Sequence, residues 1–214
     1  MNARRRDRAE LRRRGREAIV GSIRELAAGI DARAVVLVEG ASDRVALETL
    51  AARRGRDLDA DGVRVVAMGG ATNIGHFLDR LGPAGRGLPL AGLYDEAEEG
   101  FFRRGLERCG LGAGLSRADM AALGFHVCVA DLEDELIRAV GVDGVRDVLA
   151  AEGELRSFDL FQRQPAQRGR AVEAQLRRFL GTRSGRKSAY ARLLVAALEP
   201  DRVPRSLDAA LACV

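Results

Sequence analysis

Apolar residues change their spacing along this chain, and the changes mark out its elements. In RAVVLVEG (33–40) five apolar positions run together and stop at Glu-Gly, the pattern of a short strand covered on both faces. VRVVAM (63–68), LPLAGLY (88–94) and FHVCVA (125–130) repeat that signature. Between them the apolar positions recur at helical spacing. One such segment follows Ser42 and carries Val45, Leu47 and Leu50; the others are TNIGHFLDRL (72–81), a stretch opening FFRRGLERCG, and LEDELIRAVG. Ser42 stands where it can cap the first of these helices. Strands and helices alternating at these intervals predict right-handed βαβ crossovers, hence an α/β core over residues 33–140 built on a parallel sheet.

Beyond residue 140 the pattern becomes helical throughout, with segments at 142–152, 154–163, 171–180 and 186–199, which defines a helical extension over 141–214. Ahead of the core, residues 5–29 read as an arginine-rich helix. Its second half turns amphipathic through Ile19, Ile23, Leu26 and Ala27, giving a basic N-terminal unit over 1–32. LGPAGRGLP and CGLGAGLS read as loops that join elements, not as domain linkers.

Charge sharpens this outline. Residues 1–17 hold eight arginines against three acids, and residues 163–192 hold nine cations against Glu173 alone, so the middle of the chain is acidic. A basic tail and a basic C-terminal stretch around an acidic centre suit a polyanion held near acidic chemistry, although solvated arginine faces account for the charge equally well. Cys109, Cys128 and Cys213 lie far apart and read as reduced thiols of a cytoplasmic protein. With only His76 and His126, a histidine-rich zinc site is excluded and a Ser–His triad is disfavoured. No apolar segment follows the cationic start as in a signal peptide, and no apolar run is long enough to span a bilayer. The basic segment also lacks the aromatic anchors of a stable membrane attachment.

Open parallel sheets bind ligands beyond the carboxyl ends of their strands, and this chain places acids at three such ends. Glu39 closes the first strand, with Asp43 one helical turn later. Asp95 and Glu96 follow the third, with Glu98 and Glu99 behind them. Asp131, Glu133, Asp134 and Glu135 follow the fourth. Helix caps and first-turn positions account for several of these acids, Asp131 as an N-cap among them. Glu39 and Asp95 resist that account because each interrupts an apolar strand end. Carboxylates gathered on one rim repel unless a cation neutralises them, and an oxygen-only donor set points to Mg²⁺ or Mn²⁺, one ion or two. Such ions share their coordination sphere with phosphate oxygens, which brings in a phosphodiester substrate.

These residues also carry a resemblance. VLVEGASD (36–43), followed by a strand ending LYDE (93–96), resembles the Toprim domain of topoisomerases, primases and related nucleases, most closely that of the OLD (overcoming lysogenization defect) family. The resemblance implies a four-stranded parallel Toprim sheet, metal ligation by Glu39, Asp43, Asp95 and Glu133, and a catalytic lysine carried over onto Lys187 in GRKSAYARLL. It also implies divalent-metal-dependent hydrolysis of DNA, by nicking or cleavage, in DNA repair or defence. Glu39 would be a ligand or the general base. The strand-three D-x-D is degraded here to Asp95-Glu96-Ala97. On an extended strand Glu96 faces away from Asp95, so Glu96 is no automatic substitute, and a turn after Tyr94 would be needed to re-aim Glu96 or Glu98 toward a second metal site. The ATPase domain usual in OLD nucleases is not within this sequence, so a separate ATPase is a partner to expect, and a homodimer another. GTRSGRKS (181–188) imitates a phosphate-binding loop but has Arg186 in place of its second glycine, which argues against ATP binding there.

Lys187 is the single lysine among 35 cationic residues. By composition alone chance survival on a solvated surface explains it as well, and the resemblance favours a role instead: a compact ammonium suits a crowded phosphate oxygen beside carboxylates better than a planar guanidinium does. Arg163, Arg168, Arg170, Arg177, Arg178, Arg183 and Arg186 are expected to contact the nucleic-acid backbone without reading sequence. Two rivals stand beside the DNA nuclease: a non-catalytic Toprim module that binds nucleic acid or an ATPase partner, and a nuclease processing structured RNA.

Overall fold

The computed structural model describes residue 21, residues 29–183 and residues 185–214. The expected basic helix over residues 1–32, including Ile19, Ile23, Leu26 and Ala27, lies almost wholly outside that range.

All five residues of AVVLV are buried, as a strand covered on both faces requires. They form β1 (Ala34–Val38), which pairs in parallel with β2 (Val63–Ala67) on one side and β3 (Leu90–Asp95) on the other. β4 (Phe125–Cys128) extends the parallel sheet beyond β3, so the order is β2-β1-β3-β4. The third strand begins two residues later than its pattern suggested and runs through Asp95, which places that acid in the strand itself.

The two-residue alternation of β1 divides the core. Ala34, Val36 and Val38 face a layer formed by helices α1 (Ala41–Arg53), α5 (Leu132–Val140), α6 (Val142–Ala151), α7 (Leu155–Gln162), α8 (Val172–Leu180), α9 (Arg186–Ala197) and α10 (Arg205–Ala212). Val35 and Leu37 face the opposite layer, built from α2 (Ile74–Leu81), α3 (Glu99–Arg108) and α4 (Arg117–Ala122). Gly92 of β3 is a packing requirement, since a Cβ there would meet the Leu37 carbonyl oxygen at 2.8 Å and the Phe125 ring at 2.7 Å.

Two helices escape the hydrophobic pattern. α4 has only six residues, and its local signature is a cap in which the Ser116 hydroxyl and the Asp119 amide and carboxylate bond one another. α10 follows Pro204 directly. The expected Ser42 cap is also replaced. Gly40 is the N-cap of α1, and the Asp43 carboxylate accepts the Gly40 amide at 2.8 Å. Asp43 reaches back from the first turn, where the helix dipole favours a carboxylate, so Ser42 lies inside the helix. Among the described residues no helix is long and apolar enough to cross a membrane.

The helical extension is not a separate layer. Three arginines at the end of α1 grip it. Arg53 donates to the Leu198 carbonyl at 2.8 Å and to that of Val195, closing the end of α9. Arg56 donates to the carbonyls of Leu211 at 2.7 Å and Val214 at 3.0 Å, closing the end of α10, and Arg54 pairs with Asp208. Helix C-termini leave carbonyls unsatisfied and favour cations, so both effects act together. Arg53→Ala is expected to cost about 1–2 kcal/mol, the scale of lost charge-assisted hydrogen bonds at a partly exposed site. Urea denaturation would show this as a lower midpoint at unchanged slope.

Candidate metal centre at the carboxyl edge of the sheet

Because all four strands run the same way, their carboxyl ends share one edge, and the register sets Asp95 beside Cys128. The Asp95 amide donates to Oε1 of Glu39 at 3.0 Å, tying the end of β3 to the residue after β1. Asp43 enters from the first turn of α1 and Glu133 from the first turn of α5. Oε2 of Glu133 accepts from Nζ of Lys187 at 3.1 Å, with Lys187 supplied by the first turn of α9. Glu39, Asp43, Asp95, Glu133 and Lys187, drawn from four separate stretches of the chain, are thus set around one edge.

Their electrostatics register the crowding. Burial pushes the Glu39 carboxyl from its usual 4.5 to about 7, reinforced by the charges of Asp43 and Glu98 and opposed by the Asp95 amide and Lys187. Burial raises Asp43 to about 6, with Glu133 adding to it and the Gly40 amide working against it. Asp95 rises furthest, to about 8, through burial followed by the charges of Glu39, Asp43, Asp131 and Glu133. Burial works against the Lys187 ammonium, but Glu133, Asp131 and Asp95 prevail and hold its pKa above the usual value. These groups influence one another over several ångströms.

Among the described residues, no three of these side chains close on a common point as a ready-made metal cage. The donor set nevertheless fits a hard cation. Every candidate donor is a carboxylate oxygen, and three of the four groups are held in surroundings that penalise their charged form. Glu133 is only 5% exposed, and its Oε1 is buried with no hydrogen-bond partner. A buried carboxylate oxygen without a partner offers a position for a cation. Mg²⁺ needs only one or two protein carboxylates, since water and substrate complete its shell.

Other expected residues fall elsewhere. Glu96 opens a 3₁₀ turn (Glu96–Glu98), and both its oxygens are taken: Oε1 by Arg117 at 2.7 Å and Oε2 by the Ala130 amide at 3.4 Å. It therefore leaves the ligand set. Glu98, which the same turn brings close enough to load Glu39 with negative charge, is the acid that lies nearer the site. Ala97 is exposed. Arg186 leaves the expected DNA-contacting set, because it is only 6% exposed and its donors are used internally. It bonds Glu154 at 3.0 Å, the Thr182 hydroxyl at 2.6 Å and the Phe179 carbonyl at 3.1 Å, and lies 4.2 Å over the Phe179 ring. Arg177 pairs with Asp131 at 2.5 Å, which makes it a support for the acidic edge. Asp131 is the N-cap of α5, as its sequence position suggested, and accepts the Asp134 amide at 2.8 Å. Arg163, Arg168, Arg170, Arg178 and Arg183 are exposed. Glu98 was anticipated only as an acid that a turn could re-aim, and the pairing of Arg177 with Asp131 escaped the sequence reading. Nothing local marked that pairing, whose partners lie 46 residues apart.

Residues 32–96 match the family model for the overcoming lysogenization defect protein-like TOPRIM domain. The structure is similar to the C-terminal region of the Burkholderia pseudomallei OLD protein, with a TM-score of 0.65 and 23% identity over 85% of this chain and 96% of that one. It is also similar to the C-terminal region of the Xanthomonas campestris pv. campestris OLD protein, with a TM-score of 0.63 and 24% identity over 85% and 94% of the two chains. No curated protein matches the sequence. The segment that carries Glu39, Asp43 and Asp95 is therefore an OLD-like Toprim segment, set in a chain that folds as the C-terminal regions of OLD proteins do.

Proposed function

We propose that this protein is a divalent-metal-dependent nuclease that hydrolyses DNA phosphodiester bonds at the carboxyl edge of its sheet. The observation that carries the reading is the gathering of Glu39, Asp43 and Asp95, each with a burial-raised pKa, opposite a Glu133 whose second oxygen has no partner. Glu39, Asp43, Asp95 and Glu133 are the residues that would hold Mg²⁺ or Mn²⁺. Such an ion, when bound, supplies Lewis acidity at the phosphoryl oxygen and makes water a better nucleophile.

The chain's own residues do the rest. Glu39 either shares in holding the ion or, in its charged form, takes the proton of the attacking water. Lys187 stands half-exposed on its bond to Glu133, so its ammonium is held charged and aimed at the edge. From there it can meet a non-bridging phosphate oxygen as negative charge grows in the transition state. The exposed Arg163, Arg168, Arg170, Arg178 and Arg183 neutralise backbone phosphates and supply affinity that falls as salt rises. A non-catalytic nucleic-acid-binding module is the second reading, favoured by Ala97 where a second acid of the D-x-D belongs.

Purified protein is expected to nick supercoiled plasmid in Mg²⁺ or Mn²⁺ and to stop on addition of EDTA. Lys187→Arg should slow the reaction about 10²–10³-fold, the scale of removing one preorganised electrostatic contact, while leaving DNA affinity intact. Inertness of the wild type with either metal, on plasmid and on structured RNA alike, together with intact DNA binding, would leave only the module.

The raised carboxyl pKa values also predict a pH dependence. A group that holds its proton more tightly when folded stabilises the fold at low pH and loses that contribution as pH rises. The window runs from the usual 3.8 of Asp95 to its folded value of about 8, with Glu39 contributing between 4.5 and about 7. Metal-free protein should therefore melt at progressively lower temperature across that window. Mn²⁺ should flatten the decline, and Asp95→Asn should remove part of it.

A further inference from the structure

The turn between β4 and α5 positions Asp131 and Glu133, and it is built in an unusual way. Ala130 has φ 66°, the one non-glycine residue in the left-handed region among those described. Its neighbours are fixed by side chains. Glu135 accepts the Val129 amide at 2.9 Å, Arg138 donates to the Val129 carbonyl at 3.2 Å, and Asp131 accepts the Asp134 amide at 2.8 Å. Those three side chains come from α5 or its N-cap and hold the turn to its own helix. Glu96 is different: it reaches the Ala130 amide from the end of β3. Arg117 of α4 holds the other oxygen of Glu96 and also bonds Glu99, so the acidic turn after β3 is gripped from a second side.

We propose that the Arg117–Glu96–Ala130 chain is a brace that sets the spacing between the strand-three acid Asp95 and the turn presenting Glu133, making Glu96 and Arg117 positioning residues of the metal centre. The inference rests on the metal-dependent reading above. Glu96 and Arg117 are both substantially exposed, so their ion pair adds little to overall stability and can act on geometry without governing folding. The arrangement matches the way outer partners orient metal-holding carboxylates.

The competing assignment, Glu96 as a metal ligand drawn off by Arg117, predicts the opposite sign for one variant. Calorimetric titration of the full chain with Mn²⁺ separates the two. As a brace, Glu96→Ala and Arg117→Ala should each weaken Mn²⁺ binding about tenfold, the two together no more than either alone, with thermal midpoints nearly unchanged. Ala130→Gly placed in the Glu96→Ala background should restore part of the affinity, because glycine takes the left-handed conformation unaided. Stronger Mn²⁺ binding by Arg117→Ala, or unchanged binding by Glu96→Ala, overturns the brace. Amide hydrogen exchange of the metal-free protein reads the brace independently of metal. The Ala130 amide should exchange several-fold faster in both single variants, and unchanged exchange sinks the proposal. A wild type that binds no Mn²⁺ while Ala130 responds in this way would retire the metal centre and keep the mechanical link.

Discussion

Burial of several carboxylates beside one another at one edge of the sheet is the constraint around which this structure is organised. Burial alone makes each charge costly, and every neighbour adds to the cost, which is why Asp95, facing four other acids, is displaced furthest. The fold offers partial relief through groups that cannot drift away. The Asp95 amide serves Glu39, the Gly40 amide serves Asp43, and Arg177 and Lys187 serve Asp131 and Glu133. One buried oxygen of Glu133 is left without any of these. Apolar side chains of similar volume would be easier to bury, which makes this cluster a candidate site.

Helix orientation supports the same arrangement. α1 and α5 both begin at the acidic edge, and their N-termini face Asp43, Asp131 and Glu133 with the favourable end of the dipole. α9 also begins there, yet its first turn carries Arg186 and Lys187, the sign its dipole disfavours. Each cation is answered by an acid from elsewhere in the chain, Arg186 by Glu154 at the N-cap of α7 and Lys187 by Glu133 of α5. The lysine is thus held by long-range pairing against its local preference.

That distinction explains what the amino-acid order disclosed. β1, buried at every position, announces itself as a continuous apolar run, and the shorter apolar runs of β2, β3 and β4 still stand out, so all four strands and the acids at three of their ends were legible. VLVEGASD was legible as a motif because its spacing is local. Arg186 was misassigned because a cation in a basic stretch reads as surface unless its partner is known, and Glu154 lies 32 residues away. Glu96 failed for a related reason: the 3₁₀ turn that directs it toward Arg117 leaves no apolar periodicity. The six-residue α4 was too short for a period to emerge, yet it supplies the arginine that decides where Glu96 points.

The arginine grip at the far end of α1 gives that helix a double attachment. Asp43 rides on its first turn, while Arg53 fastens its last turn to the end of α9, the helix whose opposite tip bears Lys187. Acid and lysine are therefore mounted on two rods bolted together at the end remote from the acidic edge. Their alignment at the acidic edge thus depends in part on a joint on the other side of the molecule.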